Sequence, residues 1–167
     1  GNGADIITGG AGSDIISSGA GNDTIKIADT TDINLAELIN GGTGTDTVSV
    51  QAATTAINDA DFANMTNIEA LTLANGTNTA VLGTNASSAG IVTVNGGTGA
   101  DAINVAAMTL DTTVNSGGGA ETIIVSTAAD TTVNLAAAGA ITTLTTASVG
   151  VGFFNVTTFV ATEDLLD

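Results

Sequence analysis

Gly9-Gly10-Ala11-Gly12-Ser13-Asp14-Ile15-Ile16-Ser17 is the stretch that decides how this chain folds, because its pattern recurs every nine residues on both sides. Gly3, Gly12 and Gly21 share one phase, as do Asp5, Asp14 and Asp23, and Ile7, Ile16 and Ile25. Three residue types held at one period over three units mark an internal repeat, and short repeats of this kind stack as coils along one axis. Each type has a physical role. Glycine permits positive φ, so the chain can turn sharply and aim carbonyl oxygens inward. Asp supplies charge. The apolar residue two positions beyond the Asp turns toward the core on a short strand. Carbonyls and carboxylates gathered at one turn suit Ca²⁺, a hard cation that takes six to eight oxygens at about 2.3–2.6 Å.

Two turns and two strands close a coil of 18 residues. Turns on one side then stack, with Asp5 under Asp23 and Asp14 under Asp32. The unit from Ile27 to Leu35 has lost its glycines but keeps that carboxylate. A period of 18 to 20 continues beyond it. Gly41-Gly42-Thr43-Gly44-Thr45-Asp46 restates the turn, as does Gly96-Gly97-Thr98-Gly99-Ala100-Asp101. Ser116-Gly117-Gly118-Gly119-Ala120-Glu121 follows with Glu in place of Asp, and the frame from Asn134 to Thr142 carries Ala140 where the acid belongs. The strands entering these turns repeat too: Val92-Thr93-Val94-Asn95, Thr112-Thr113-Val114-Asn115 and Thr131-Thr132-Val133-Asn134. Asp111 and Asp130 precede two of them and are expected to stack on one edge as a solvated rim.

The expected fold is all-β, a parallel β-roll or β-solenoid of stacked coils in one continuous structural domain. Within it, residues 1–48 form the nonapeptide roll, 49–90 an irregular coil with a short helical insertion, and 91–167 a continuing solenoid with degenerate turns and a C-terminal cap. Asn34-Leu35-Ala36-Glu37 reads as a capping box opening a short helix to about Ile39, and Asp59 to Asn64 as a second helical turn. Phe153, Phe154 and Phe159 gather apolar bulk at the C-terminal end.

Composition narrows the function. The 167 residues carry a net charge of −16, with seventeen acids against one base, Lys26. Nucleic acid and anionic membrane need Lys and Arg, so both are disfavoured as partners, whereas cations are favoured. Hydrophobic residues make up 43%, too many for a disordered polyanion. The four Phe and absent Trp and Tyr fit a thin core. No Cys is present to form a disulfide. No apolar run is long enough to span a membrane as a helix, so direct insertion is not expected. The chain begins inside a repeat without Met, which suggests a fragment. His, Cys, Arg and Tyr are all missing, so the serines have no base to activate them, and no catalysis is expected within the chain.

Residues 9–17 resemble the nonapeptide of the RTX calcium-binding family, specifically over 1–26 and well at 41–48 and 95–103. The Thr-, Ala-, Asn- and Gly-rich remainder, with Asn67-Ile68-Glu69-Ala70-Leu71-Thr72-Leu73, is similar to RTX-type bacterial surface-layer (S-layer) proteins. The resemblance implies a protein secreted unfolded by a one-step (type I) channel and folded outside the cell by several Ca²⁺, about three to five here. It also implies ligand sets. One site would use Asn2, Asp5, Gly19, Gly21 and Asp23. A second would use Gly9, Ala11, Asp14, Ala28, Thr30 and Asp32. A third would use Ser18, Ala20, Asp23, Gly42, Gly44 and Asp46, and a fourth would pair Asp101 with Glu121. The implied role is a calcium-dependent structural module of the cell surface, self-assembling as a homo-oligomeric lattice. The alternative is the export and folding module of an RTX adhesin or secreted enzyme.

Overall fold

The computed structural model describes residues 1–28, 32, 37–53, 55–136, 143–146, 154–157 and 165–166. Among them every paired strand is parallel to its neighbour, and one front wall runs through the whole stack. That wall orders Ile6–Thr8, Thr24–Ile27, Thr47–Val50, Ala70–Thr72, Thr93–Asn95, Thr112–Asn115, Thr131–Asn134 and Phe154–Thr157 side by side. Its register lines up Ile7, Ile25, Val48, Leu71, Val94, Val114 and Val133 as one inward column. From Ile25 onward the column is buried. Burying each such side chain stabilises the stack by about 1.5–3 kcal/mol. Opposite it stand Ile16 and Ile39, then Ile57, Ala80, Ile103, Ile123 and Leu144, also buried.

The back wall comes in two parts. Ile15–Ala20, Leu38–Thr43 and Met65–Thr66 form a three-stranded sheet. Ala56–Asn58, Thr79–Val81, Ala102–Asn104, Thr122–Val125, Thr143–Thr146 and Leu165–Leu166 form a six-stranded one. The coil from residue 47 to 69 contributes a strand to both parts, so it has three sides. The 3₁₀ turn Asp59–Phe62 joins them. In the next coil the third side is a short α-helix, Thr84–Ala89. Asp59 reaches up to cap that helix, accepting the N–H groups of Gly83 and Ala86 at Oδ1 and of Asn85 at Oδ2, at 2.7, 2.9 and 3.1 Å.

The period changes along the stack. The first step of the front wall is 18 residues, from Asp5 to Asp23, but the next is 23, from Asp23 to Asp46. The pairs Thr47↔Ala70 and Ala70↔Thr93 keep that wider step. Steps of 20 and 19 return only at Asn95, Asn115 and Asn134. The expected uniform period of 18 to 20 therefore fails in the middle, where the coils 47–69 and 70–92 bury Phe62, Ile68 and Ile91 behind an added side. Residues 49–90 hold four strands in register rather than irregular chain. Asp59–Phe62 is the helical turn expected there. Ile39 lies in a strand, not at a helix end. Residues 33–36, Ala140, Phe153 and Phe159 fall outside the described residues.

Candidate metal centre

The glycine turns pack directly upon one another. Gly42 and Gly44 take φ of +100° and +136°, which L side chains rarely adopt. A Cβ on Gly42 would strike the carbonyl oxygen of Gly19 in the coil below, and one on Gly44 would strike that of Gly21. Gly19 and Gly21 thus turn their carbonyls toward the later coil. Gly41 and Thr43 turn theirs the other way. The Gly41 carbonyl accepts Ser18 Oγ at 2.5 Å and the Thr43 carbonyl accepts the Gly21 N–H at 2.9 Å. Four carbonyls from two turns therefore border one gap, each with a second lone pair to offer.

The acids form a ladder beside these carbonyls. Asp23 Oδ1 accepts the N–H of Asp5, and Asp46 Oδ1 accepts the N–H of Asp23, both at 2.8 Å. Glu69 Oε2 accepts the N–H of Asp46 at 2.7 Å. Asp23 and Asp46 are buried at 1% and 0% exposure, yet among the described residues Oδ2 of each has no hydrogen-bond partner. A buried carboxylate oxygen left without a partner is costly, and a cation beside it would satisfy it; Asp23 Oδ2 is the one left for the gap below Asp46, whose Oδ1 is directed to that gap. Lys26 lies on the outer face of the front wall, paired in register with Thr8 and Ser49. Among the described residues no three acidic, His or Cys side chains cluster as a metal site. The oxygens that border this gap belong instead to two carboxylates and four carbonyls, the all-oxygen chemistry that suits Ca²⁺.

The opposite edge is less uniform. Asp14 stacks under Glu37, whose Oε2 accepts the Asp14 N–H at 3.0 Å. Asp32 is not the residue above Asp14, because the back strand pairs Ile15 with Leu38, 23 residues on. Ala28 and Asp32 lie in bends between these levels, and Thr30 is outside the described residues. Farther along, Asn78, Asp101 and Glu121 form a buried column. Asp101 Oδ1 accepts the backbone and side-chain N–H groups of Asn78, each at 2.9 Å, and Oδ2 accepts the Gly97 N–H at 3.0 Å. Glu121 does follow directly above Asp101. Asp111 and Asp130 stack as expected, Asp111 Oδ1 accepting the Asp130 N–H at 3.0 Å, and both are exposed.

The structure brings together Asp5, Asp23 and Asp46, but shifts the carbonyl set by one residue. Between Asp5 and Asp23 the facing oxygens include those of Gly1 and Gly3, not those of Gly19 and Gly21. Between Asp23 and Asp46 they are those of Gly19, Gly21, Gly41 and Thr43, not those of Ser18, Ala20, Gly42 and Gly44. The reason is the phase of the extended backbone: successive carbonyls point alternately up and down, and strand register decides which set faces a given gap. Sequence reading also missed Glu37 and Glu69. Their steps of 23 from Asp14 and Asp46 were the signal.

Residues 1–25 match the family described as RTX calcium-binding nonapeptide repeats. No curated protein and no solved structure matches the chain. RTX repeats are typical of secreted bacterial proteins. No helix among the described residues is long and apolar enough to cross a membrane. The Asp5–Asp23 link and the first stacked glycine turns fall within this match, and RTX repeats of this family bind Ca²⁺.

Proposed function

We propose that the chain is a calcium-dependent structural module of a secreted bacterial surface layer, in which Ca²⁺ drives first folding and then lattice assembly. The observation that carries this reading is the pair of buried, unpartnered oxygens Asp23 Oδ2 and Asp46 Oδ2, in a chain of net charge −16. Without cations, burying these acids opposes folding; with cations bound, the same oxygens tie successive coils together. One ion lies between Asp5 and Asp23, on Gly1 and Gly3. Another lies between Asp23 and Asp46, on Gly19, Gly21, Gly41 and Thr43. The Asp14–Glu37 and Asp101–Glu121 pairs are further candidates, the latter weaker because Asp101 already accepts three hydrogen bonds. The module does no chemistry of its own.

Charge removal supports the assembly step. Ions bound along one edge weaken repulsion between molecules as well as within one. The flat walls of Thr, Asn and Ala offer broad faces to a neighbour. The test is calcium addition to the concentrated chain, followed by light scattering and electron microscopy. Ordered sheets that dissolve in chelator are the expected result. A folded but strictly monomeric particle at millimolar Ca²⁺ overturns the lattice role and points to an export and folding module.

A further inference from the structure

Resting on the calcium reading above, we propose one further cation site, between Asp46 and Glu69, closed by a turn that carries no glycine. Met65–Thr66 pairs with Ile39–Asn40, which places Asn67 over Gly41. From Gly41 the chain takes five residues to reach Asp46, whereas from Asn67 it takes two to reach Glu69. The upper turn is contracted, and the longer Glu side chain spans the difference to hold the Asp46 N–H at 2.7 Å.

Three features aim oxygens into this gap. Asn67 has φ of +55°, the only positive value at a non-glycine residue among the described residues. Its amide nitrogen donates to Asn40 Oδ1 at 2.8 Å, which holds the bend. The bend directs the Asn67 carbonyl at Gly41, where a Cβ would meet both that oxygen and Asp46 Oδ2. Two oxygens thus converge over one glycine, and Asp46 Oδ2 is the buried one without a hydrogen bond. Oδ1 of Asp46 is directed to the coil below, so Oδ2 is the oxygen left for the gap above. Gly42 and Gly44 repeat the positive φ of Gly19 and Gly21, whose carbonyls face the later coil.

The short turn leaves Thr43, Gly44 and Thr45 exposed, so water completes the shell. A partly hydrated, open site of this kind holds Ca²⁺ more weakly than an enclosed one, by about tenfold or more. It fills last and ends the ladder, because the front-wall residue above Glu69 is Val92.

The experiment is calorimetric Ca²⁺ titration of the full chain and of Glu69→Gln, with circular dichroism at each point. Gln keeps the acceptor for the Asp46 N–H and removes the charge. The expected result is loss of one ion from the weaker class, with the tighter class and the saturated β signal unchanged. Retention of every ion at wild-type affinity overturns the site. Collapse of all binding together with the β signal also overturns it, since Glu69 would then be a latch and not a ligand. Glu69→Asp keeps the charge but shortens the arm, and it should weaken the weak class alone; unaltered affinity counts against the proposal. Absence of Ca²⁺ binding by the wild-type chain would instead sink the broader calcium reading.

Discussion

Asp46 holds the backbone N–H of Asp23 through Oδ1 at 2.8 Å, while its buried Oδ2 meets no donor among the described residues. One oxygen fixes the coil below and the other is left to a cation. Asp46→Asn keeps the first function and cancels the second. In chelator the variant should hold more β signal than the wild type, because a buried charge is gone. In millimolar Ca²⁺ it should melt lower. Circular dichroism in chelator and thermal melts in Ca²⁺ decide the point, and a loss in both conditions would contradict it.

Calcium itself should drive folding. Four bound ions would lower the net charge from −16 to about −8. A coil-like spectrum in chelator and a β spectrum in millimolar Ca²⁺ are expected. Mg²⁺ should substitute poorly, because it demands near-octahedral geometry at about 2.0–2.1 Å and keeps its waters. Equal recovery in Mg²⁺ would rule out the carbonyl ligand set.

Gly44→Ala should destabilise by about 2–5 kcal/mol, combining a strained φ with a collision against the Gly21 carbonyl. Gly3→Ala is the control. A Cβ there meets nothing within 4 Å, and its φ is not positive, so it should change stability by less than about 0.5 kcal/mol. Urea unfolding in saturating Ca²⁺ compares the two.

Much of this stack is legible in the sequence. The column from Ile7 through Val48 to Val94 and Val133 follows from glycine phase and apolar position. So does the stacking of Asp23 on Asp5 and of Glu121 on Asp101. The wider coils are less legible. Their extra residues carry no GGxGxD turn, and the helix Thr84–Ala89 is a six-residue run of Thr, Asn, Ser and Ala whose cap, Asp59, lies 24 to 27 residues away. Glu69 was hidden for a similar reason: its turn substitutes Asn67 for glycine and drops three residues.

Asp61 gives a pH signature independent of calcium. Burial raises its carboxyl above the ordinary 3.8, against the lowering effect of the Asn58 N–H. A raised folded value means the folded state binds the proton more tightly. The contribution is therefore favourable in acid and is lost as pH rises from 3.8 through the folded value. At neutral pH the charged group opposes folding. Asp61→Asn, which still accepts the Asn58 N–H, should raise the melting temperature at pH 7 and leave it little changed near pH 3.

Asp59 joins two levels of the stack through three hydrogen bonds. Asp59→Ala should cost about 1–2 kcal/mol and loosen the 84–89 turn, read as faster amide exchange at Gly83, Asn85 and Ala86.

The strands run across the stack, so their hydrogen bonds, and the links from Asp5 to Glu69, lie along its axis. Tension applied at the two ends loads those links in series. Coils then detach singly from an end, each as a small step, instead of the whole body shearing at one high force. Any cation shared between two coils is a rivet in line with that tension, so calcium concentration sets how far the protein stretches before it peels.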